Sequence, residues 1–169
     1  MIFLRPVKLS DISMEYVKWM NSKQVNQFLE SRFSKHTLTD LKNYQRKISK
    51  DPNTFFMGIF KKEKQNHIGN IKLGPIDWNH KIADIGIMIG DKNSWGKGYA
   101  TDAIKLITNF GFKKLKLHKL TAGAYENNLG SIKAFLKAGF HEEARRRKHF
   151  FFKGKFLDGI LLAKINQKK

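Results

Sequence analysis

The stretch Ile85-Gly86-Ile87-Met88-Ile89-Gly90, followed by Trp95-Gly96-Lys97-Gly98-Tyr99-Ala100-Thr101, decides how the chain is read. Its branched apolar run reads as a strand, which passes through a glycine-rich turn into a helix expected from Gly98 to about Phe112. Along that helix Ala100, Ala103, Ile104, Ile107 and Phe110 make one apolar stripe that can face a sheet. Glycines let a backbone approach an anion closely, successive amides point into such a turn, and a helix start adds about half a positive charge. A diphosphate is the expected ligand, and Lys97 adds to the attraction. No G-x-x-x-x-G-K-[ST] occurs, the dinucleotide fingerprint fails at Thr101, and no acidic residue follows about 20 positions on. Nucleoside triphosphates and nicotinamide cofactors are therefore disfavoured, and the plainer alternative is an ordinary glycine-containing helix start.

Outward from this segment the periods alternate. Ile2 to Val7 reads as a short strand, and Asp11 to Met20 as a helix with Ile12, Tyr16, Trp19 and Met20 on one side. Val25 to Leu29 extends the helical region, and Thr37 or Thr39 can cap a third helix through Lys50, stopped by Asp51-Pro52. Phe55 to Lys61, His67 to Gly74 and Ile82 to Ile89 then form an antiparallel meander, with turns near Glu63 to Asn66 and over Pro75 to His80. Beyond the central helix come a strand at Leu120 to Tyr125 and a helix at Leu129 to Ala138 ended by Gly139. Last come strands at about Glu142 to Phe152 and Lys155 to Ile165, paired across Lys153-Gly154. This order predicts a mixed α/β (α+β) sheet in one domain, residues 1–169.

The composition narrows the chemistry. With 33 Lys plus Arg against 14 Asp plus Glu the formal charge is +19, yet 41% of residues are hydrophobic, enough to bury a core. There is no cysteine, which excludes disulfides, thiolate metal sites and a cysteine nucleophile. The six histidines contain no H-x-x-x-H pair, so no metal is expected. Nothing resembles a membrane span or signal peptide, which makes the cytoplasm the expected location. The charge excess predicts weak electrostatic association with polyanions. The run Arg145-Arg146-Arg147-Lys148-His149-Phe150-Phe151-Phe152 offers a competing nucleic-acid or ribosome-binding reading, although strand alternation would send some of those aromatics into the core.

The residues Trp95-Gly96-Lys97-Gly98-Tyr99-Ala100-Thr101-Asp102-Ala103, then Asn127-Asn128-Leu129-Gly130-Ser131 and Lys137-Ala138-Gly139-Phe140, resemble in order and spacing the GNAT acyltransferases. The branch they resemble is that of the RimJ/RimL-type N-acetyltransferases. Gly98-Tyr99-Ala100 fits the second half of the family's [QR]-x-x-G-x-[GA] loop, while Trp95 stands where Gln or Arg is usual. The resemblance implies a mostly antiparallel twisted sheet of about seven strands with helices on both sides and a splayed central strand pair. It also implies acetyl-CoA as acyl donor. The pantetheine arm would pair with Ile87, Met88 and Ile89 as an added strand would, and the diphosphate would sit on Trp95 to Thr101. Lys133 or Lys137 would reach the 3′-phosphate.

The implied reaction is direct attack of a neutral primary amine on the thioester in a ternary complex, consistent with the missing cysteine and the missing G-x-S-x-G elbow. A main-chain N–H near Met88 to Ile89 would stabilise the oxyanion. Ser131, placed by Asn128, would protonate the leaving thiolate, whose solution pKa is about 8.5. Its plainer reading is helix capping by Asn127, Asn128 or Ser131. Asp84 and Glu30 are the candidate bases, ahead of Glu126 and Asp102, with surface carboxylates as the alternative. An α-amine demands little of a base, whereas a Lys ε-amine costs roughly 4 to 5 kcal/mol to deprotonate near pH 7. Glu30, Arg32 and Tyr125 are the expected acceptor-binding residues, framed by the N-terminal helices and the last hairpin. The acceptor is expected to be a nucleotide-linked amino sugar or other small amine, or a protein N-terminal α-amine. A catalytically inactive CoA-binding module is the alternative, and either a monomer or a homodimer fits.

Overall fold

The computed structural model describes residues 1–167; Lys168 and Lys169, the end of the expected domain, lie outside the described residues. Among the described residues seven strands form one sheet: β1 (Ile2–Pro6), β2 (Phe55–Lys61), β3 (His67–Asp77), β4 (Ile82–Ile89), β5 (Lys119–Tyr125), β6 (His141–Phe152) and β7 (Lys155–Ile165). Their spatial order is β1-β2-β3-β4-β5-β7-β6. Every neighbouring pair is antiparallel except β4 and β5, whose parallel pairing requires a crossover, supplied by the helix α4 (Tyr99–Lys113). The remaining helices are α1 (Met14–Asn21), α2 (Lys23–Asn26), α3 (Leu38–Ile48) and α5 (Leu129–Lys137).

Alternation along the strands divides the core in two. One face, with Ile59, Ile71, Leu73, Ile85, Leu120 and Leu162, packs on Ile104 and Ile107 of α4 and Phe135 of α5. The opposite face, through Phe56 and Met88, packs on Tyr16, Trp19 and Met20 of α1 and Leu41 of α3. Helices thus cover both sides, and the β4–β5 edge lies between the two cores.

Three boundaries differ from the sequence expectation, the first being that the helical region expected over Val25 to Leu29 lies at Lys23–Asn26 and has given way to a turn by Gln27. The first helix begins at Met14, because the Ser13 hydroxyl accepts from the Tyr16 amide at 3.3 Å and acts as the cap. Residues Leu9–Asp11 form a separate 3₁₀ turn, fastened by two Arg5 to Asp11 hydrogen bonds of 2.6 and 2.7 Å. The third strand does not stop at Gly74. It passes a bulge between Leu73 and Ile76 and rejoins β4 at Ile76↔Ala83, so Pro75 lies in the strand rather than in a turn. Thr37, by contrast, caps α3 as expected, in a reciprocal box with Asp40.

The spacing of β3 and β4 depends on Gly69. A Cβ there would lie 2.2 Å from the Met88 carbonyl oxygen and 2.9 Å from the Ile89 Cα, both of them backbone atoms that cannot swing aside. Gly69→Ala should therefore cost about 3 kcal/mol of stability. Urea unfolding with an unchanged slope is the measurement, and a loss under about 0.5 kcal/mol would contradict this contact.

Candidate active site

The site begins where two strands part. β4 and β5 are bridged at Ile82↔Lys119, Ala83↔Leu120 and Asp84↔Thr121, and no bridge follows. The Gly90 amide donates to the Ile68 carbonyl of β3 at 2.9 Å, so strand alternation turns the main-chain groups of Ile87 and Ile89 the other way, into the gap. Trp95 closes the far end: its indole Nε1–H donates to the Ile89 carbonyl at 2.8 Å. This is what the tryptophan does at the position where the motif usually has Gln or Arg. A short length of unsatisfied strand edge is left between Asp84 and Trp95.

At that end the chain enters the glycine turn. Gly96 and Gly98 have φ of 72° and 79°, the left-handed region that glycine enters without strain. Gly98 occupies the N-cap of α4 and offers no side-chain cap, so the first-turn amides of Tyr99, Ala100 and Thr101 are not taken by one. A Cβ on either glycine would meet nothing within 4 Å, which leaves open space above these amides. Lys97 is exposed beside them. The turn is braced from below by Asp91, which accepts from the Asn93 amide at 3.0 Å and the Ser94 hydroxyl at 2.5 Å and pairs with Lys61 at 3.5 Å. Burial pushes the Asp91 carboxyl up, but these partners together hold it below the usual carboxylate range. Uncapped amides, a lysine and open space fit a diphosphate. Lys133 and Lys137 are exposed one turn apart on α5, and among the described residues neither has a carboxylate partner.

The start of α5 separates two readings of Ser131. Asn128 is the cap, its Oδ1 accepting from the Ser131 amide at 3.3 Å. The half-buried Ser131 hydroxyl makes no hydrogen bond with the described residues and does not serve as a cap.

Glu30, Arg32 and Tyr125 are brought together although 95 positions separate the first from the last. The Tyr125 hydroxyl donates to Glu30 Oε1 at 2.6 Å, Arg32 Nη1 lies 3.5 Å from the same oxygen, and the guanidinium stands 5.2 Å from the Tyr125 ring centre. Burial first, and then the Glu30 carboxylate, raise the Tyr125 hydroxyl above its ordinary pKa. The ring is stacked on Phe150 at 3.9 Å, and Phe152 is stacked on Phe28 at 5.4 Å. Two of the three aromatics in the basic run therefore pack inward, while Phe151 is exposed against Phe156. Arg145 is shared among Glu126, Glu142 and Asp158.

Two cavities open on this face of the sheet. One, of about 340 Å³, is bounded by α1, the Glu30–Phe33 turn, α3 and β3–β4, with Glu30, His36, Asn70, Lys72 and Gly86 in its lining. The other, of about 330 Å³, is lined from β5, β6 and β7, with Asp84, Thr121, Gly123, Arg146 and His149 among its residues. The two candidate bases thus border different cavities, and the last hairpin frames only the second. Asp84 is exposed and accepts a short hydrogen bond from the Thr121 hydroxyl. Glu30 is already engaged by Tyr125 and Arg32. Sequence reasoning missed Asn70, Lys72 and Gly123; the period-two parity of β3 places Asn70 and Lys72 on one face, and the β3–β4 register sets Lys72 opposite Gly86.

A strand pair that splays beside an open, uncapped helix start is the arrangement that the resemblance to the GNAT acyltransferases implies. The profile of the acetyltransferase (GNAT) domain matches residues 2–141, and the chain belongs to that family. It is similar to a probable N-acetyltransferase, YjcK, of Bacillus subtilis (strain 168), 32% identical over 98% of this chain and 94% of the relative. It is also similar to a spermidine N(1)-acetyltransferase of Escherichia coli (strain K12), 28% identical over 93% of this chain and 82% of the relative. Among solved structures, spermidine N-acetyltransferase from Vibrio cholerae in complex with CoA and spermine superposes with a TM-score of 0.88 at 22% identity, covering 99% of this chain and 96% of that one. The chain is an acyltransferase of the N-acetyltransferase class. Among the described residues no helix is long and apolar enough to cross a membrane.

Proposed function

We propose that this RimJ/RimL-like enzyme acetylates a primary amine that is neutral or anionic away from its nitrogen, using acetyl-CoA as donor in a ternary complex in the cytoplasm. The observation that carries the reading is the uncapped, open start of α4 at the end of a splayed strand edge. Trp95 to Thr101 would hold the diphosphate on main-chain amides, with Lys97 adding charge and Lys133 or Lys137 reaching the 3′-phosphate. The main-chain groups of Ile87 and the Ile89 N–H would pair with the pantetheine arm, the Ile89 carbonyl being held by Trp95 and the Met88 groups facing β3, and the Ile89 N–H would meet the developing oxyanion. Acetyl-CoA supplies the thioester carbonyl that the amine attacks and the thiolate that leaves. Asp84 is the better-placed base, because it belongs to the last bridged pair at the mouth of the gap and its only side-chain partner among the described residues is the neutral Thr121 hydroxyl, while Glu30 is engaged by Tyr125 and the Arg32 cation. Ser131 would donate the proton that the thiolate needs.

The preference in acceptor follows from charge. The chain carries +19, and Arg32 stands beside Glu30 while Lys72 lines the same cavity, so the positive field there disfavours a polycation even though the Asp40 carboxylate also lines it. The acceptors suited to it are nucleotide-linked amino sugars, related small amines and peptide α-amines. An acetyl-CoA thiol-release screen over nucleotide amino sugars, amino acids, N-terminal peptides and polyamines tests this. Highest kcat/KM on an oxygen-bearing amine is expected. Spermidine as the best acceptor would reverse the preference, and saturable CoA binding with no turnover on any amine would favour an inactive binding module.

A further inference from the structure

Two glycines stand in strand interiors where nothing in the fold asks for them. Gly86 of β4 and Gly123 of β5 lie two residues beyond Asp84 and Thr121, the last bridged pair. They therefore occupy equivalent positions on the two strands just past the last bridge, one on each lip of the gap where it opens. Both are exposed, neither has a positive φ, and a Cβ built on either would meet no atom within 4 Å. Gly69 and Gly90 differ sharply, since a Cβ there would strike backbone or the Trp19 ring. Glycine in a strand is disfavoured relative to alanine, and where neither a turn nor a close neighbour requires it, it marks an approach from outside.

The face onto which both glycines open is settled by their neighbours. In β4, Met88 packs toward α1, and Asp84 and Gly86 share its parity. In β5, Thr121 reaches Asp84 and Tyr125 reaches Glu30, with Gly123 between them. The missing side chains thus open the gap toward the face that carries both cavities. Gly86 borders the one and Gly123 the other.

A separate observation points to a ligand in the Gly86-side cavity. Asn70, 5% exposed, lines it, and its Nδ2 has no hydrogen-bond partner among the described residues, while its Oδ1 lies 2.9 Å from His67 Nε2. Buried donors are rarely left unpaired, and this one is next to Lys72, which is registered opposite Gly86.

We infer that Gly86 and Gly123 form the window through which the acceptor's amine reaches the thioester, and that the acceptor's tail lies in the Gly86-side cavity with an oxygen on the Asn70 side-chain amide. The inference rests on the acetyl transfer proposed above and narrows its substrate class to a primary amine on an oxygen-bearing frame. A plain polyamine has no oxygen to offer Asn70 and would bring its other cations toward Lys72.

The test uses Gly86→Ala, Gly86→Val, Gly123→Val and Asn70→Asp in the full chain, with glucosamine, glycinamide and propylamine as acceptors. Three quantities are read: the melting temperature, CoA affinity by calorimetry, and kcat/KM for the amine. The glycine variants should melt at or above the wild-type temperature, since the space is free and valine suits a strand. CoA affinity should stay within about threefold, and kcat/KM for the amine should fall severalfold for alanine and at least about 30-fold for valine. Asn70→Asp keeps an oxygen for His67 and removes the unpaired donor. It should lower kcat/KM for glucosamine and glycinamide at least about tenfold relative to propylamine. Undiminished amine turnover in the valine variants, or CoA affinity lost in step with turnover, would overturn the window. Asn70→Asp with unchanged discrimination would overturn the role of Asn70. A wild-type chain that binds CoA but acetylates neither oxygen-bearing amine sinks the inference alone, whereas failure to bind acetyl-CoA at all sinks it together with the acetyl-transfer reading.

Discussion

Gly98→Asp is expected to weaken acetyl-CoA binding about 100-fold or more and to remove nearly all of the ligand-induced rise in melting temperature. Two effects add at this position. Gly98 holds a φ of 79°, so any side chain bears left-handed strain of roughly 1 to 2 kcal/mol. That part is common to Gly98→Ala and lowers the melting temperature of both variants. The second effect belongs to the carboxylate. Placed about 5 Å from a bound diphosphate at an effective dielectric of about 20, it costs roughly 3 kcal/mol, a factor above 100. At a ligand concentration about 100 times the wild-type Kd the stabilisation is about 2.7 kcal/mol; a 100-fold weaker variant keeps about 0.4 kcal/mol. The difference between the Asp and Ala variants should shrink in about 1 M salt, where screening acts within about 3 Å. Equal ligand-induced shifts in the two variants would remove the diphosphate from this turn.

The part of the site legible in the sequence was the part that is local. Ile85 to Thr101 carries its strand, its left-handed glycines and its helix start within one short segment, and each of those signals reports a backbone geometry directly. Ser131 and Asn128 are likewise within one turn of helix, although only the structure shows that Asn128 does the capping. Non-local features were less legible. That Glu30 meets Tyr125 depends on the entire sheet order, and that Asp84 and Glu30 border different cavities depends on side chains of β6 reaching the residues of β5 and β7 around Asp84. Asp11 was read into a helix because Ser13, two positions later, is the better cap, and Pro75 was read as a turn because a bulge cannot be told from a turn by residue type. Gly123 is not legible in the sequence, since its meaning lies in its place just past the last β4–β5 bridge, as Gly86 lies past it on the other strand.

Ser131→Ala should lower kcat about 100-fold while leaving acetyl-CoA affinity within about twofold, because the hydroxyl has no hydrogen-bond partner among the described residues and Asn128 rather than Ser131 secures the helix. The contrast is Asn128→Ala, which removes the cap and should cost about 1 kcal/mol of stability. A structural hydroxyl would show the opposite pattern, with Ser131→Ala losing stability and affinity together. The pH profile separates the roles further. A CoA thiol has a pKa of about 8.5, so below that pH the departing sulfur must gain a proton, and above it the thiolate persists unaided. The ratio of wild-type to variant kcat should accordingly be largest near neutrality and contract as pH rises past about 8.5. Ser131→Thr, which keeps a hydroxyl at the same turn of α5, should recover most of the rate at pH 7. A ratio that stays flat through that range, or a threonine variant as slow as alanine, would assign the proton to water and leave Ser131 no part in the leaving-group step.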